Sequence, residues 1–304
     1  MVAVSGAVAA ATLLAYARRR LPALAAESHA AREDYVAQYT PAIQRRRMSV
    51  LGCDTHLYYA GPEHPQRPPL LLIHGGIIEA ATWLPTLAAL ATDRAVIAPD
   101  LPAHGLSGSL SPAQLLDWLI TFVDQCGLEK FDLCGHSMGG ALAFRYAAGR
   151  PDRIRRLILC APVGLGSRFP HLWVRPAALL PLRRPSSLII DNVWGDPNRL
   201  TSEQRWQFTL IIYDFFLTRR WQWFLSGGWR WVLELPSQVL AASLPPTLIL
   251  WGERDHIIPF TARGARLLAR HQPDVPMQFF PTVGHMPQLE AAEDFNSVVR
   301  EFLS

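Results

Sequence analysis

The chain is predicted to be an α/β protein: a mostly parallel sheet with helices on both faces, interrupted by a helical cap. Short, continuous apolar runs alternate with helix-compatible stretches, the pattern of parallel strands buried on both sides. Residues 164–245 break that rhythm and hold seven of the ten tryptophans. A Gly-x-Ser-x-Gly sequence follows directly on one of the apolar runs. Half of the 304 residues are hydrophobic and 18% are charged, which excludes a disordered chain. Net charge is only +4, with no basic stripe, so nucleic acid is not expected as a partner.

Residues 1–17 (MVAVSGAVAAATLLAYA) carry no charge, and Arg18, Arg19 and Arg20 follow. As a helix this segment would span roughly 25 Å, slightly less than the ~30 Å hydrocarbon core of a bilayer. Three readings compete. A membrane anchor fits best, with the arginines placing the rest of the chain on the cytoplasmic side. An Ala-rich helix lying on the domain or on a membrane surface is the second. A cleaved signal is the third, although it wants its positive charge before the apolar run. Membrane association through residues 1–20 is therefore expected. Arg45, Arg46 and Arg47 suit an anionic lipid surface or a solvated linker, so residues 1–47 are read as one N-terminal unit.

The texture changes at residue 48. Residues 48–60 read as a hairpin around a Gly52-Cys53-Asp54 turn. The apolar runs then fall at 70–74, 95–100, 131–137, 156–162, 247–255 and 277–285. The core is thus expected over 48–163 and 246–304, with the cap over 164–245. In the cap, the stretch WQFTLIIYDFFL (206–217) is apolar on nearly every side and must be buried on several faces or meet something apolar. Trp173, Trp206, Phe215 and Trp223 are its candidate substrate contacts. Cys53, Cys126, Cys134 and Cys160 form no CxxC pair, which argues against a zinc site or a disulfide framework.

The chemistry is expected at Gly135-His136-Ser137-Met138-Gly139. A strand precedes it and a helix-like stretch follows, the setting of a turn so tight that side chains at its flanks would collide. A serine hydroxyl needs a base, and the base needs an orienting acid. On such a sheet the order is Ser, acid, His, with all three at carboxyl ends of strands. His285 closes the last run and Asp255 closes the one before, so Ser137, Asp255 and His285 are the candidate nucleophile, acid and base. The N–H groups of Met138 and of Gly76, in the loop after the first run, are the candidate oxyanion donors. His74 and His136 lack the carboxylates or thiolates of a metal site and are read as shaping their loops; no metal or cofactor is required.

From about residue 48 onward the chain resembles the α/β-hydrolase superfamily. The resemblance rests on His74-Gly75-Gly76, the Asp100–Ser107 segment, Gly135–Gly139, the Trp251–Asp255 segment and Gly284-His285. It implies the α/β-hydrolase fold, with Ser137, Asp255 and His285 as triad and Gly76 and Met138 at the oxyanion hole. Ala103 stands where many relatives have glycine. The N-terminal segment and residues 160–165 are similar to membrane-anchored monoacylglycerol lipase-like members. A serine nucleophile argues against the dehalogenases and epoxide hydrolases of the superfamily, whose nucleophile is aspartate. The expected activity is hydrolysis of lipophilic carboxylic esters such as monoacylglycerols. Alternatives on the same fold are a C–C bond hydrolase of dienoic acids, with Arg168 or Arg175 facing the acid, a thioesterase, or a cofactor-free haloperoxidase. A non-catalytic binding protein is the alternative of another class.

Overall fold

The computed structural model describes residues 23, 25–39, 42–165, 186–217, 223, 235 and 237–304. Eight strands form one sheet: β1 (Gln44–Val50), β2 (Cys53–Ala60), β3 (Leu70–Ile73), β4 (Val96–Pro99), β5 (Phe131–His136), β6 (Ile154–Cys160), β7 (Thr247–Gly252) and β8 (Met277–Phe280). Their order is β1-β2-β4-β3-β5-β6-β7-β8. Only β2 runs antiparallel to its neighbours, β1 and β4; from β4 onward all pairings are parallel.

The helices are α1 (residues 25–37), α2 (Leu84–Leu90), α3 (Leu115–Gln125), α4 (Met138–Gly149), α5 (Ser186–Val193), α6 (Ser202–Leu217), α7 (Ser237–Leu240), α8 (Ala262–His271), α9 (Pro287–Glu290) and α10 (Ala292–Phe302). Alternate strand residues face opposite sides, so both faces must be covered. Leu71, Ile73, Leu133 and Leu159 pack with α3, α4 and α8. Leu70, Leu72, Cys134 and Ile158 pack with α2 and α10. This is the α/β-hydrolase fold.

Two boundaries differ from the sequence reading. The hairpin turns at Leu51-Gly52, with φ of 51° and 79°, not at Gly52-Cys53-Asp54. A two-residue hairpin loop needs two positive φ values to match strand twist, and glycine supplies the second at no steric cost. The N-terminal unit also does not extend to residue 47. Strand β1 begins at Gln44, so Arg45, Arg46 and Arg47 are strand residues with partners in the protein. Arg45 pairs with Glu33 at 2.9 Å, the Arg46 guanidinium lies 3.8 Å from the Tyr59 ring centroid, and Arg47 pairs with Asp54. They belong to an exposed edge strand rather than to a linker. Residues 1–20 lie outside the described residues, and no described helix is long and apolar enough to cross a membrane.

Candidate active site

The Gly-x-Ser-x-Gly segment is shaped by close backbone approach. Strand β5 stops at His136, and Ser137 adopts φ 52°, ψ −116° before α4 begins. Its N–H donates to Cys160 O at 2.8 Å and its carbonyl accepts from Val163 N at 3.1 Å, so β6 holds the turn. A Cβ at Gly135 would sit 2.4 Å from Gly139 O, and one at Gly139 would sit 2.4 Å from His74 O. Only glycine fits at either position, and the strained residue between them is the serine.

The other two predicted residues arrive from β7 and β8. Asp255, just beyond β7, is buried and fully hydrogen-bonded. One oxygen accepts from Ile257 N and Ile258 N at 2.9 and 2.8 Å; the other is 2.8 Å from His285 Nδ1. Those bonds aim the carboxylate at the ring and make Nδ1 the protonated nitrogen of a neutral imidazole, leaving Nε2 as the basic atom. The His285 loop is pinned against β7: a Cβ at Gly252 would lie 2.0 Å from Gly284 O. His285 N donates to Val193 O at the end of α5 at 2.7 Å. Ser137 and His285 are 7% and 6% exposed. Among the described residues no hydrogen bond joins Ser137 Oγ to the imidazole. His136, the residue before the serine, holds the His285 backbone: its Nε2 donates to His285 O at 2.7 Å, and its ring centroid lies 4.7 Å from that of His285. Burial holds the His136 pKa well below the usual histidine range, so it is neutral there.

The loop after β3 lies against Ser137. A Cβ at Gly75 would be 3.0 Å from the Ser137 Cβ. His74 braces this loop: its Nε2 accepts from Leu101 N at 2.9 Å and its Nδ1 donates to Gly75 O at 2.7 Å. Burial lowers its pKa too, consistent with one nitrogen donating and one accepting. Asp100 ties the neighbouring segments together, accepting from Ala80 N, Leu106 N and His56. Neither Gly76 N–H nor Met138 N–H has a protein acceptor among the described residues.

The cap candidates separate. Phe215 packs tilted against His104 and Trp223 meets it edge-on, with centroids at 5.1 and 5.5 Å, and Trp223 Nε1 donates to Leu110 O at 2.8 Å. They clamp the cap to the core loop beside the site. Trp206 does not join them; it stands on the second turn of α6, 43% exposed. The stretch 206–217 buries the side chains that reach the core, and position 206 falls outside that contact. Trp173, Arg168 and Arg175 lie outside the described residues.

Glu290 was not singled out from the sequence. Its half-buried carboxylate accepts from Gly195 N, Gly284 N and Met286 N at 2.8, 2.9 and 3.1 Å, so it clasps both flanks of His285 and the turn after α5. Its only sequence signal is an acid five residues after the histidine, which looks like any surface glutamate. No group of three or more potential metal ligands is found among the described residues.

A serine on a strained strand-to-helix turn, at the carboxyl edge of this sheet and beside a His–Asp pair, defines a class of hydrolytic enzymes. The chain belongs to the alpha/beta hydrolase family, whose model matches residues 70–298. It is 30% identical over 286 residues to 2-hydroxymuconate semialdehyde hydrolase of Pseudomonas sp. (strain CF600), with 88% of this chain and 96% of that protein covered. It is 32% identical over 244 residues to the dihydrolipoyllysine-residue acetyltransferase component of the acetoin cleaving system of Cupriavidus necator, with 77% of this chain covered. There the chain spans only 63% of the relative's length. In fold it is similar to a membrane phospholipase A, a bacterial virulence factor, with a TM-score of 0.73, 22% identity, and 99% and 96% of the two chains covered.

Proposed function

We propose that the protein is a serine hydrolase of lipophilic carboxylic esters. Ser137 attacks the acyl carbonyl as His285 Nε2 takes its proton. Asp255 holds the imidazole tautomer and stabilises the imidazolium. The N–H groups of Gly76 and Met138 receive the oxyanion. His285 returns the proton to the leaving alcohol, and water activated by the same imidazole releases the acid. The missing Ser137–His285 bond is compatible with this, because such bonds are commonly long in ligand-free sites and tighten when substrate binds.

The observation that carries the ester reading is the apolar packing of the described cap residues around the serine turn. Met138 belongs to one buried cluster with Ile190, Phe208, Ile212, Trp223 and Leu235 of the cap. Among the described residues the two buried arginines, Arg32 and Arg94, are each committed to a carboxylate. That suits an uncharged acyl chain better than an acidic dienoate. The second reading, C–C bond hydrolysis of a dienoate-type acid, is favoured by the 30% identity to 2-hydroxymuconate semialdehyde hydrolase over 88% of the chain. We also propose that residues 1–20 bring the enzyme to a membrane, in keeping with the apolar run and its trailing arginines.

Steady-state turnover of glycerol and p-nitrophenyl esters across acyl-chain lengths, beside a 2-hydroxy-6-oxo-dienoate, decides between the two. Faster ester turnover, rising with chain length, supports the first; turnover of the dienoate alone overturns it. Ser137→Ala should abolish ester turnover and labelling by a fluorophosphonate probe, and labelling that persists would mean a different nucleophile.

A further inference from the structure

Helix α1 lies before the segment matched by the family model, yet it reaches both walls of the site. Its Arg32 places Nε 2.7 and 2.9 Å from the two carboxylate oxygens of Glu79. Both side chains are buried, at 3% and 4% exposure. Glu79 closes the loop that begins at His74. At the near end, His74 is bonded to Leu101 N and Gly75 O. At the far end, Glu79 O accepts from Thr82 N and Thr82 Oγ1, while its carboxylate is held by Arg32. The free span between these anchors is Gly75-Gly76-Ile77-Ile78, with Ile77 at φ 70°. One turn earlier in α1, Ser28 Oγ donates to Leu210 O of α6 at 2.9 Å, and Ala31 packs on Leu210.

A two-glycine span carrying a transition-state donor does not hold its own position. An N–H misplaced by about 1 Å can cost up to ~10²-fold in rate. A buried ion pair is a poor source of net stability, but each charge strictly requires the other. The pair therefore fixes where Glu79 can sit, and so where the span ends. We propose that Arg32 is a positioning residue for the oxyanion loop, acting through Glu79, and that α1 straps this loop to cap helix α6. The proposal rests on the reading of Ser137 as nucleophile and Gly76 as oxyanion donor. It also places the chain leading from residues 1–20 in mechanical contact with the site.

The test uses the full chain with Arg32→Lys and Glu79→Gln. The first keeps the charge without the planar fork; the second keeps hydrogen-bonding atoms without the charge. Folding is followed by thermal unfolding, p-nitrophenyl ester kinetics give kcat and KM, and the rate of fluorophosphonate labelling is read in parallel. Loss of loop position should lower kcat by about tenfold with KM within about twofold, because the lost interaction exists mainly in the transition state. Labelling should slow in parallel. Folded variants with wild-type kcat and only a lower melting temperature would overturn the proposal. If neither variant folds, the apolar double variant Arg32→Met/Glu79→Leu decides in the same way, since it removes both buried charges together. Ser137→Ala is the control. If it still turns over, both readings fall; if it is inert while the Arg32 and Glu79 variants keep wild-type kcat, only the present one does.

Discussion

His136 precedes the proposed nucleophile and holds the His285 carbonyl, and its own state is set by burial. A histidine whose pKa is lower folded than unfolded binds fewer protons in the native state just below pH 6.5. Stability should therefore rise with pH up to about 6.5 and be lost as pH falls below it. His74, depressed for the same reason, adds to that slope. Urea midpoints measured from pH 8 to pH 5 should decline, and His136→Asn, which can still donate to His285 O, should flatten the decline. A wild-type curve flat over that range would contradict a neutral, buried His136. At lower pH a second loss follows from Asp100. It is itself buried, but its bonds to His56 and Leu106 N hold its pKa near 2, so its contribution persists above about pH 4 and fades toward 2.

At the scale of elements, the β5–α4 junction is the least forgiving part of the molecule. The start of α4 touches the carbonyls of Ile73 and His74, so a methyl group at position 139 would meet both at 2.5 Å or less. Gly139→Ala should cost about 1–3 kcal/mol by overpacking. It should also reduce ester turnover by pushing the β3 loop from Ser137. Denaturant unfolding and kcat of the folded fraction measure the two effects separately, and a variant with native values in both would refute this description of the junction. The same logic covers the His285 loop, where Gly252 and Gly284 allow two backbones to touch and Glu290 gathers three N–H groups. That cluster explains how a loop five residues past β8 holds an imaginable base steadily against β7.

For the whole molecule, the two ends of the sheet do different work. The carboxyl end carries the candidate site. Toward the other end, buried Asp132 accepts from Arg94 at 3.0 Å and from Arg155 Nε at 2.8 Å, and Arg155 also holds Leu303 O at 2.7 Å. Asp132→Asn would remove the buried carboxylate that Arg94 and Arg155 share, leaving Arg94 only the more exposed Asp93 at 3.3 Å, and should cost roughly 3 kcal/mol. Asp132 and Ser137 are separated by the length of β5, roughly 16 Å at 3.3 Å per residue, so kcat per folded molecule should not change. Equal losses of kcat and stability would show that the two ends are coupled. The structure also dictates how the membrane proposal is tested. Residues 25–37 form α1 and 44–50 form β1, so a deletion must stop at residue 22. Deleting 1–22 should move the protein from the membrane fraction to the soluble one and leave it folded; a full-length chain that is already soluble would end the anchor idea.

Legibility followed the range of the physics. The strands at 70–73, 131–136 and 247–252 were readable because an apolar run buried on both faces carries its signature within a few consecutive residues. The serine turn was readable because tight backbone geometry demands glycine at fixed offsets. Ser, Asp and His were expected together only by their order and their places at strand ends; their spacing in the chain says nothing of a 2.8 Å contact between residues 255 and 285. The roles of Arg32, Glu79 and Glu290 were invisible, because a charged residue in sequence looks the same whether it meets water or a buried partner. Residues 44–47 were misread because three consecutive arginines hide the period of an exposed edge strand, and Trp206 because aromatic density gives no direction. The chain by itself determined its alternating elements and its strained serine. Only the tertiary structure decided which buried charges face one another, since that depends on contacts between segments far apart in sequence.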